Sequence, residues 1–135
     1  MGAGKVAVRK ASMLIKSNPV ITFIAPDTNE NILKLKNDYN IEIIKRNFEA
    51  KDIDTNYDFV FACSNNREVN KLVSELSHQK KIPVNIADSL EESSFIMPAV
   101  LLEDDMMISI STYGKNPVKA RMIRLKLKKW FSKLK

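Results

Sequence analysis

Two hydrophobic periods alternate along the first two thirds of the chain. Apolar runs rich in β-branched residues occupy 20–24 (Val-Ile-Thr-Phe-Ile), 41–44 (Ile-Glu-Ile-Ile), 59–63 (Phe-Val-Phe-Ala-Cys) and 84–87 (Val-Asn-Ile-Ala). Runs of this kind, bounded by turn residues such as Asn18-Pro19 and Pro26-Asp27, predict strands buried on both faces. Between them the period lengthens. Residues 6–16 read as a helix, 29–36 place Ile32, Leu33 and Leu35 inward on a short one, and 67–79 carry Val69, Leu72, Val73 and Leu76 at helical spacing. Strands alternating with helices predict right-handed βαβ crossovers and an α/β fold, a Rossmann-like parallel sheet with helices on both faces.

After Asp88 the pattern changes. Residues 95–102 and 106–111 are two strand-like segments separated only by Glu103-Asp104-Asp105, which predicts an antiparallel hairpin. A hairpin alone is marginal in water, so its apolar residues need a partner. Packing against its own domain and building a dimer interface both satisfy that need. Asn116-Pro117 then supplies an N-cap and a first-turn proline for a terminal helix. The expected division is 1–90 for the parallel unit and 91–135 for the hairpin and helix.

Composition adds bounds. With 135 residues and 44% apolar content, the chain buries an ordinary domain core without disulfides or metal. It has one cysteine, no signal-peptide pattern and no long apolar span, so a cytoplasmic location with no membrane insertion is expected. Cys63, at the end of an apolar run, reads as a buried thiol, and His78 reads as a solvated surface residue; a metal site is not expected.

The net charge of +6 is concentrated in one place. No acidic residue follows Asp105, and Lys115, Lys119, Arg121, Arg124, Lys126, Lys128, Lys129, Lys133 and Lys135 all do. Interleaved with them, Val118, Met122, Ile123, Leu127, Trp130, Phe131 and Leu134 form an apolar face. An amphipathic packing helix with a solvated basic side fits this pattern, and so does a helix lying on a membrane surface. Nucleic acid is not an expected partner, because stacking aromatics are not spread through the basic run.

Three places carry candidate chemistry. Gly2-x-Gly4-x-x-Ala7 leads into a helix, as a dinucleotide fingerprint does: one glycine for the bend, one for close approach to a pyrophosphate, and a small residue for helix packing. A strand should precede this turn. Either the polypeptide begins upstream, or the first strand is missing and cofactor affinity suffers. Asp27 lies about 20 residues beyond the turn, the spacing of an acceptor for a ribose 2′-hydroxyl, and it could equally be a turn or cap residue. Asp88 follows a strand at the carboxyl edge of the expected sheet, where open α/β folds bind ligands; it reads as a general base or as a helix cap.

Several phrases then line up in order. Gly2-Ala3-Gly4-Lys5-Val6-Ala7-Val8-Arg9-Lys10, Ile24-Ala25-Pro26-Asp27, Val84-Asn85-Ile86-Ala87-Asp88, Ser94-Phe95-Ile96-Met97-Pro98-Ala99 and Ile110-Ser111-Thr112-Tyr113-Gly114-Lys115-Asn116-Pro117 together resemble the precorrin-2 dehydrogenase family, the N-terminal module of siroheme synthase. The resemblance covers nearly the whole chain. It implies a Rossmann domain and a homodimerising region, an NAD-dependent oxidation of precorrin-2 to sirohydrochlorin, and in some members insertion of ferrous iron. By the same resemblance, Gly2, Gly4, Lys5 and Val6 match the turn at the dinucleotide phosphates, and Pro26 and Asp27 the segment flanking the ribose. Asp88 matches the aspartate implicated in the chemistry, and Ser111, Thr112 and Gly114 match a substrate-binding loop. Tyr113 departs from the pattern by replacing a glycine, which implies strain if that position needs a positive φ. The basic tail could attract the carboxylates of such a tetrapyrrole. A non-catalytic nucleotide-binding or regulatory module is the alternative reading.

Overall fold

A computed structural model describes residues 1–133; Leu134 and Lys135, expected on the last helix, lie outside the described residues. The chain divides into two compact units, Met1–Phe95 and Ile96–Lys135.

The first unit contains helix α1 (Lys5–Leu14), strand β1 (Ile21–Ile24), helix α2 (Glu30–Asp38), strands β2 (Ile41–Ile44) and β3 (Val60–Ala62), helix α3 (Arg67–Gln79) and strand β4 (Val84–Ile86). β1 and β2 pair in parallel with Ile21 opposite Ile41, and β3 and β4 pair in parallel with Val60 opposite Val84. Each pair has its own core. Ala7 and Ala11 of α1 and Ile32 of α2 pack with Phe23 and Ile41, whereas Val73 of α3 packs with Val60, Ala62, Val84 and Ile53. Small alanines on α1 allow close helix-to-strand approach, which explains the apolar spacing of that helix.

No strand lies between β1 and β3 among the described residues. Met1 and Gly2 bridge the gap: the Met1 nitrogen donates to the Phe61 carbonyl at 2.6 Å, the Cys63 N–H donates to the Met1 carbonyl, and the Gly2 N–H donates to the Ile24 carbonyl. Beyond this bridge lies a groove of about 840 Å³ lined by Ile21, Phe23, Phe59, Phe61 and Lys10. Lacking a neighbour there, Val20 falls outside β1 at 73% exposure and Phe59 outside β3 at 58%, so burial on both faces does not reach the ends of these runs.

Residues 91–95, expected with the hairpin, stay with the first unit. Ser94 exchanges hydrogen bonds with Val84, the Ser93 hydroxyl accepts from the Ile86 N–H, and the Asn85 side chain donates to the Phe95 carbonyl. These contacts satisfy the outer edge of β4.

The second unit is a hairpin of β5 (Ala99–Glu103) and β6 (Met106–Ile110), with Ala99 opposite Ile110, followed by helix α4 (Pro117–Phe131). β5 begins later than the apolar run, after Pro98, which cannot donate to a ladder. The Asn116 side chain caps α4 by accepting from the Lys119 N–H at 2.8 Å. Leu101 and Ala120 are its buried apolar residues, while Val118, Met122, Leu125 and Trp130 are exposed, so the face expected to pack stands open. No helix among the described residues is long and apolar enough to cross a membrane.

Candidate functional site

The glycine turn is shaped by what surrounds it. Gly2 has φ +86°, and a Cβ there would stand 2.5 Å from the Cys63 carbonyl oxygen, so no other residue fits. Gly4 is the N-cap of α1, and a Cβ on it would meet nothing within 4 Å. Its outer side is open space. α2, α3 and α4 are capped by Asn29, Asn66 and Asn116, but α1 has no side-chain cap and no acidic residue in its first turn. Its leading N–H groups are therefore left for another acceptor, with the positive end of the helix dipole behind them.

At the Gly4 cap of this helix lies a cleft of about 650 Å³ lined by Gly2, Gly4, Pro26, Asp27, Thr28, Asn47, Phe48, Ser64 and Asn65, among others. Lys5 and Val6 do not line it. Val6 packs partly buried against the α1 core. Asp27 is exposed, and Asn29 rather than Asp27 caps α2 by accepting from the Asn31 N–H, which leaves the cap role of Asp27 unfilled. The Asn29 N–H donates to the Ala3 carbonyl, tying this loop to the glycine turn.

Two residues that sequence reasoning missed shape the cleft, Thr28 by lining it and Asn70 by holding Ser64 of its wall. Thr28 Oγ1 is buried and has no hydrogen-bond partner, an orphan that a ligand hydroxyl or phosphate oxygen would satisfy. Asn70, fully buried on α3, accepts from the Ser64 N–H and donates to the Ser64 carbonyl, pinning the opposite wall. An uncapped helix start, a glycine with open space outside it and an orphaned hydroxyl fit a dinucleotide phosphate and ribose. Cys63 is buried as expected, and burial pushes its thiol above the ordinary range, so it is held as an unreactive thiol.

Asp88 stands two residues after β4 with its side chain 40% exposed. It does not line the cleft. Arg67, the first residue of α3, places Nη1 3.7 Å from Asp88 Oδ1 and ion-pairs with Glu92 through Nη2. The Glu92 carbonyl accepts from the Ser74 hydroxyl at 2.8 Å and lies 3.1 Å from His78 Nε2, so His78 has a protein partner beyond solvent.

In the second unit, the Tyr113 N–H donates to Ser111 Oγ and the Asn116 N–H to Thr112 Oγ1, both at 3.0 Å. Each hydroxyl thus accepts from the loop and retains its own proton to donate. Tyr113 has φ 52° and Gly114 φ 74°. The tyrosine does occupy the left-handed region, with its side chain 79% exposed. Among the described residues, no three His, Cys, Asp or Glu side chains come together as a metal site.

Residues 1–99 match a family described as "Putative NAD(P)-binding". Siroheme synthase of Vesicomyosocius okutanii is 41% identical over 127 residues, 94% of this chain and 27% of the relative. That of Ruthia magnifica is also 41% identical over the same share of each chain, and siroheme synthase 3 of Aeromonas hydrophila is 35% identical. This chain spans about a quarter of the length of these curated relatives. The solved structure of SirC, a precorrin-2 dehydrogenase, superposes with a TM-score of 0.77 at 23% identity, covering 95% of this chain and 62% of that one. The fold is therefore the Rossmann-like α/β fold expected from the strand and helix pattern.

Proposed function

We propose, since the chain belongs to the NAD(P)-binding family, that it binds NAD at the glycine turn and oxidises precorrin-2 to sirohydrochlorin in siroheme biosynthesis. The cleft carries this reading. Gly2 and Gly4 clear the way for a pyrophosphate, the uncapped start of α1 donates to it, Thr28 Oγ1 takes a ribose or phosphate oxygen, and the Asp27 carboxylate accepts from a 2′-hydroxyl. A 2′-phosphate would meet that carboxylate as a like charge, which favours NAD over NADP.

A bound nicotinamide supplies the hydride acceptor. The chain supplies the rest. Loss of hydride from a reduced tetrapyrrole leaves a proton to be removed from the macrocycle, and the exposed Asp88 carboxylate takes it as general base. Ser111 and Thr112 donate their free hydroxyl protons to substrate carboxylates, with backbone N–H groups of the same loop already satisfied.

The test is to mix the folded chain with precorrin-2 and NAD and to follow NADH and the sirohydrochlorin spectrum. The Asp88→Ala variant should lose roughly 10²- to 10⁴-fold in kcat, the usual worth of a general base, with NAD affinity retained. NAD binding without turnover in the parent chain would instead make it a non-catalytic nucleotide-binding module. Ferrous iron offered with sirohydrochlorin tests chelation separately.

A further inference from the structure

We infer that Arg67 is a positioning residue for Asp88, an inference that rests on Asp88 being the base. As the first residue of α3, Arg67 puts a positive charge at the positive end of the helix dipole, the less favourable end for a cation. Two carboxylates offset this. Glu92 holds one arm of the guanidinium in an ion pair that raises the Arg67 pKa further, with Asp88 and Glu68 adding attraction.

Glu92 is itself anchored. Its carbonyl is engaged by Ser74 and His78, and its N–H donates to Ser89 Oγ. The guanidinium is planar and rigid, so fixing Nη2 on Glu92 also fixes the direction of Nη1. That second arm stands 3.7 Å from Asp88 Oδ1. The separation is within range of charge attraction and beyond a hydrogen bond, so the carboxylate is oriented without its lone pairs being consumed. A base needs both conditions: a fixed direction and a vacant acceptor.

Steady-state kinetics on the whole chain test the inference, using R67Q and R67A, R67K, E92Q, D88A and the double variant R67A/D88A. Displacing the base by this means should lower kcat roughly ten- to a hundredfold in R67A and R67Q. KM for NAD should stay unchanged, because Arg67 does not line the dinucleotide cleft. R67K keeps the charge and loses the fork, so it should recover part of the loss. E92Q frees the guanidinium to close on Asp88 and consume its acceptors, and should also lower kcat. R67A/D88A should be no slower than D88A, since Arg67 acts through Asp88. Full kcat in R67A and R67Q beside an inactive D88A overturns the inference and leaves the base assignment standing. A further loss in the double variant overturns it as well. A D88A variant as active as its parent removes the base assignment and the inference together.

Discussion

Met1–Phe95 and Ile96–Lys135 treat their apolar residues in opposite ways. Of the 18 buried hydrophobic residues described, 16 belong to the first unit, and the second has Leu101 and Ala120 alone. Of the 17 large hydrophobic residues described as exposed, ten lie in the second unit, including Met107 at 67% and Val118 at 66%. The first unit satisfies most of its own sequence pattern by packing helices on parallel pairs, with Val20 and Phe59 left exposed at the ends of their runs. The second repeats the same kind of amphipathic pattern without closing over it. A pattern of apolar positions therefore states a requirement for burial and does not say what meets it. The hairpin residues called for either their own domain or a second copy of the chain, and exposed apolar surface of this extent is the kind that associates.

The largest effects should fall on the first unit. Ile32→Ala removes a side chain that is 0% exposed and should cost about 2–5 kcal/mol in denaturant unfolding, as large-to-small core changes do. Met107→Ala should cost less than about 0.5 kcal/mol in dilute solution, as exposed positions do. Met107→Lys should leave that dilute stability alone and weaken self-association in sedimentation. A Met107→Ala cost as large as that of Ile32→Ala would end the contrast. Sedimentation unchanged by Met107→Lys would remove the second copy as the partner.

Local elements were legible where one stretch of chain decides them. α3 runs over the 13 residues that its spacing predicted, and the Asn116 cap stands where the Asn-Pro pair put it. The strands were legible in place but not in depth, because Val20 and Phe59 look like core residues until the described residues are seen to place no strand between β1 and β3. Of the residues that the sequence offered for a site, Gly2, Gly4 and Asp27 line the cleft and Asp88 does not. Thr28, Asn70 and Arg67 were not legible, for a shared reason. Each is an ordinary polar residue whose meaning depends on what it faces: an open cleft for Thr28, the Ser64 backbone for Asn70, and Glu92, 25 residues away, for Arg67. The positive φ of Tyr113 could be anticipated only through the family resemblance, which implied a glycine at that position.

A smaller effect probes the polar interior of the first unit. Asp52 is 9% exposed, its two carboxylate oxygens accept from Arg46, and one also accepts from the Glu49 N–H. The Arg46 guanidinium holds this carboxyl below the ordinary carboxylate range, ahead of the opposing effect of burial. With the folded value below the unfolded one, the carboxylate's stabilisation is fully present above the unfolded value near pH 4. It is lost as pH falls from there through the folded value. Asp52→Asn should therefore cost about 1–3 kcal/mol at neutral pH, the worth of a hydrogen-bonded buried charge. It should also flatten the acid limb of the stability curve between those two values. An acid limb identical in parent and variant would remove Asp52 from the account.

The smallest effect sits in the second unit, and its sign is set by backbone conformation. Tyr113 holds φ 52°, a region that costs a non-glycine residue about 1–2 kcal/mol. Tyr113→Gly relieves that strain but adds unfolded-state entropy of about 0.5–1 kcal/mol, so the net gain should be no more than about 1.5 kcal/mol. The side chain is 79% exposed, so little packing is lost to offset the gain. The reverse exchange in the first unit has no such balance: Gly2→Ala meets both a positive φ and the Cys63 carbonyl, and can only destabilise. Thermal unfolding of the two variants side by side reads both signs. A Tyr113→Gly chain less stable than its parent would mean that the exposed ring is held by a contact worth more than the strain, and that the second unit is better packed than its open apolar face implies.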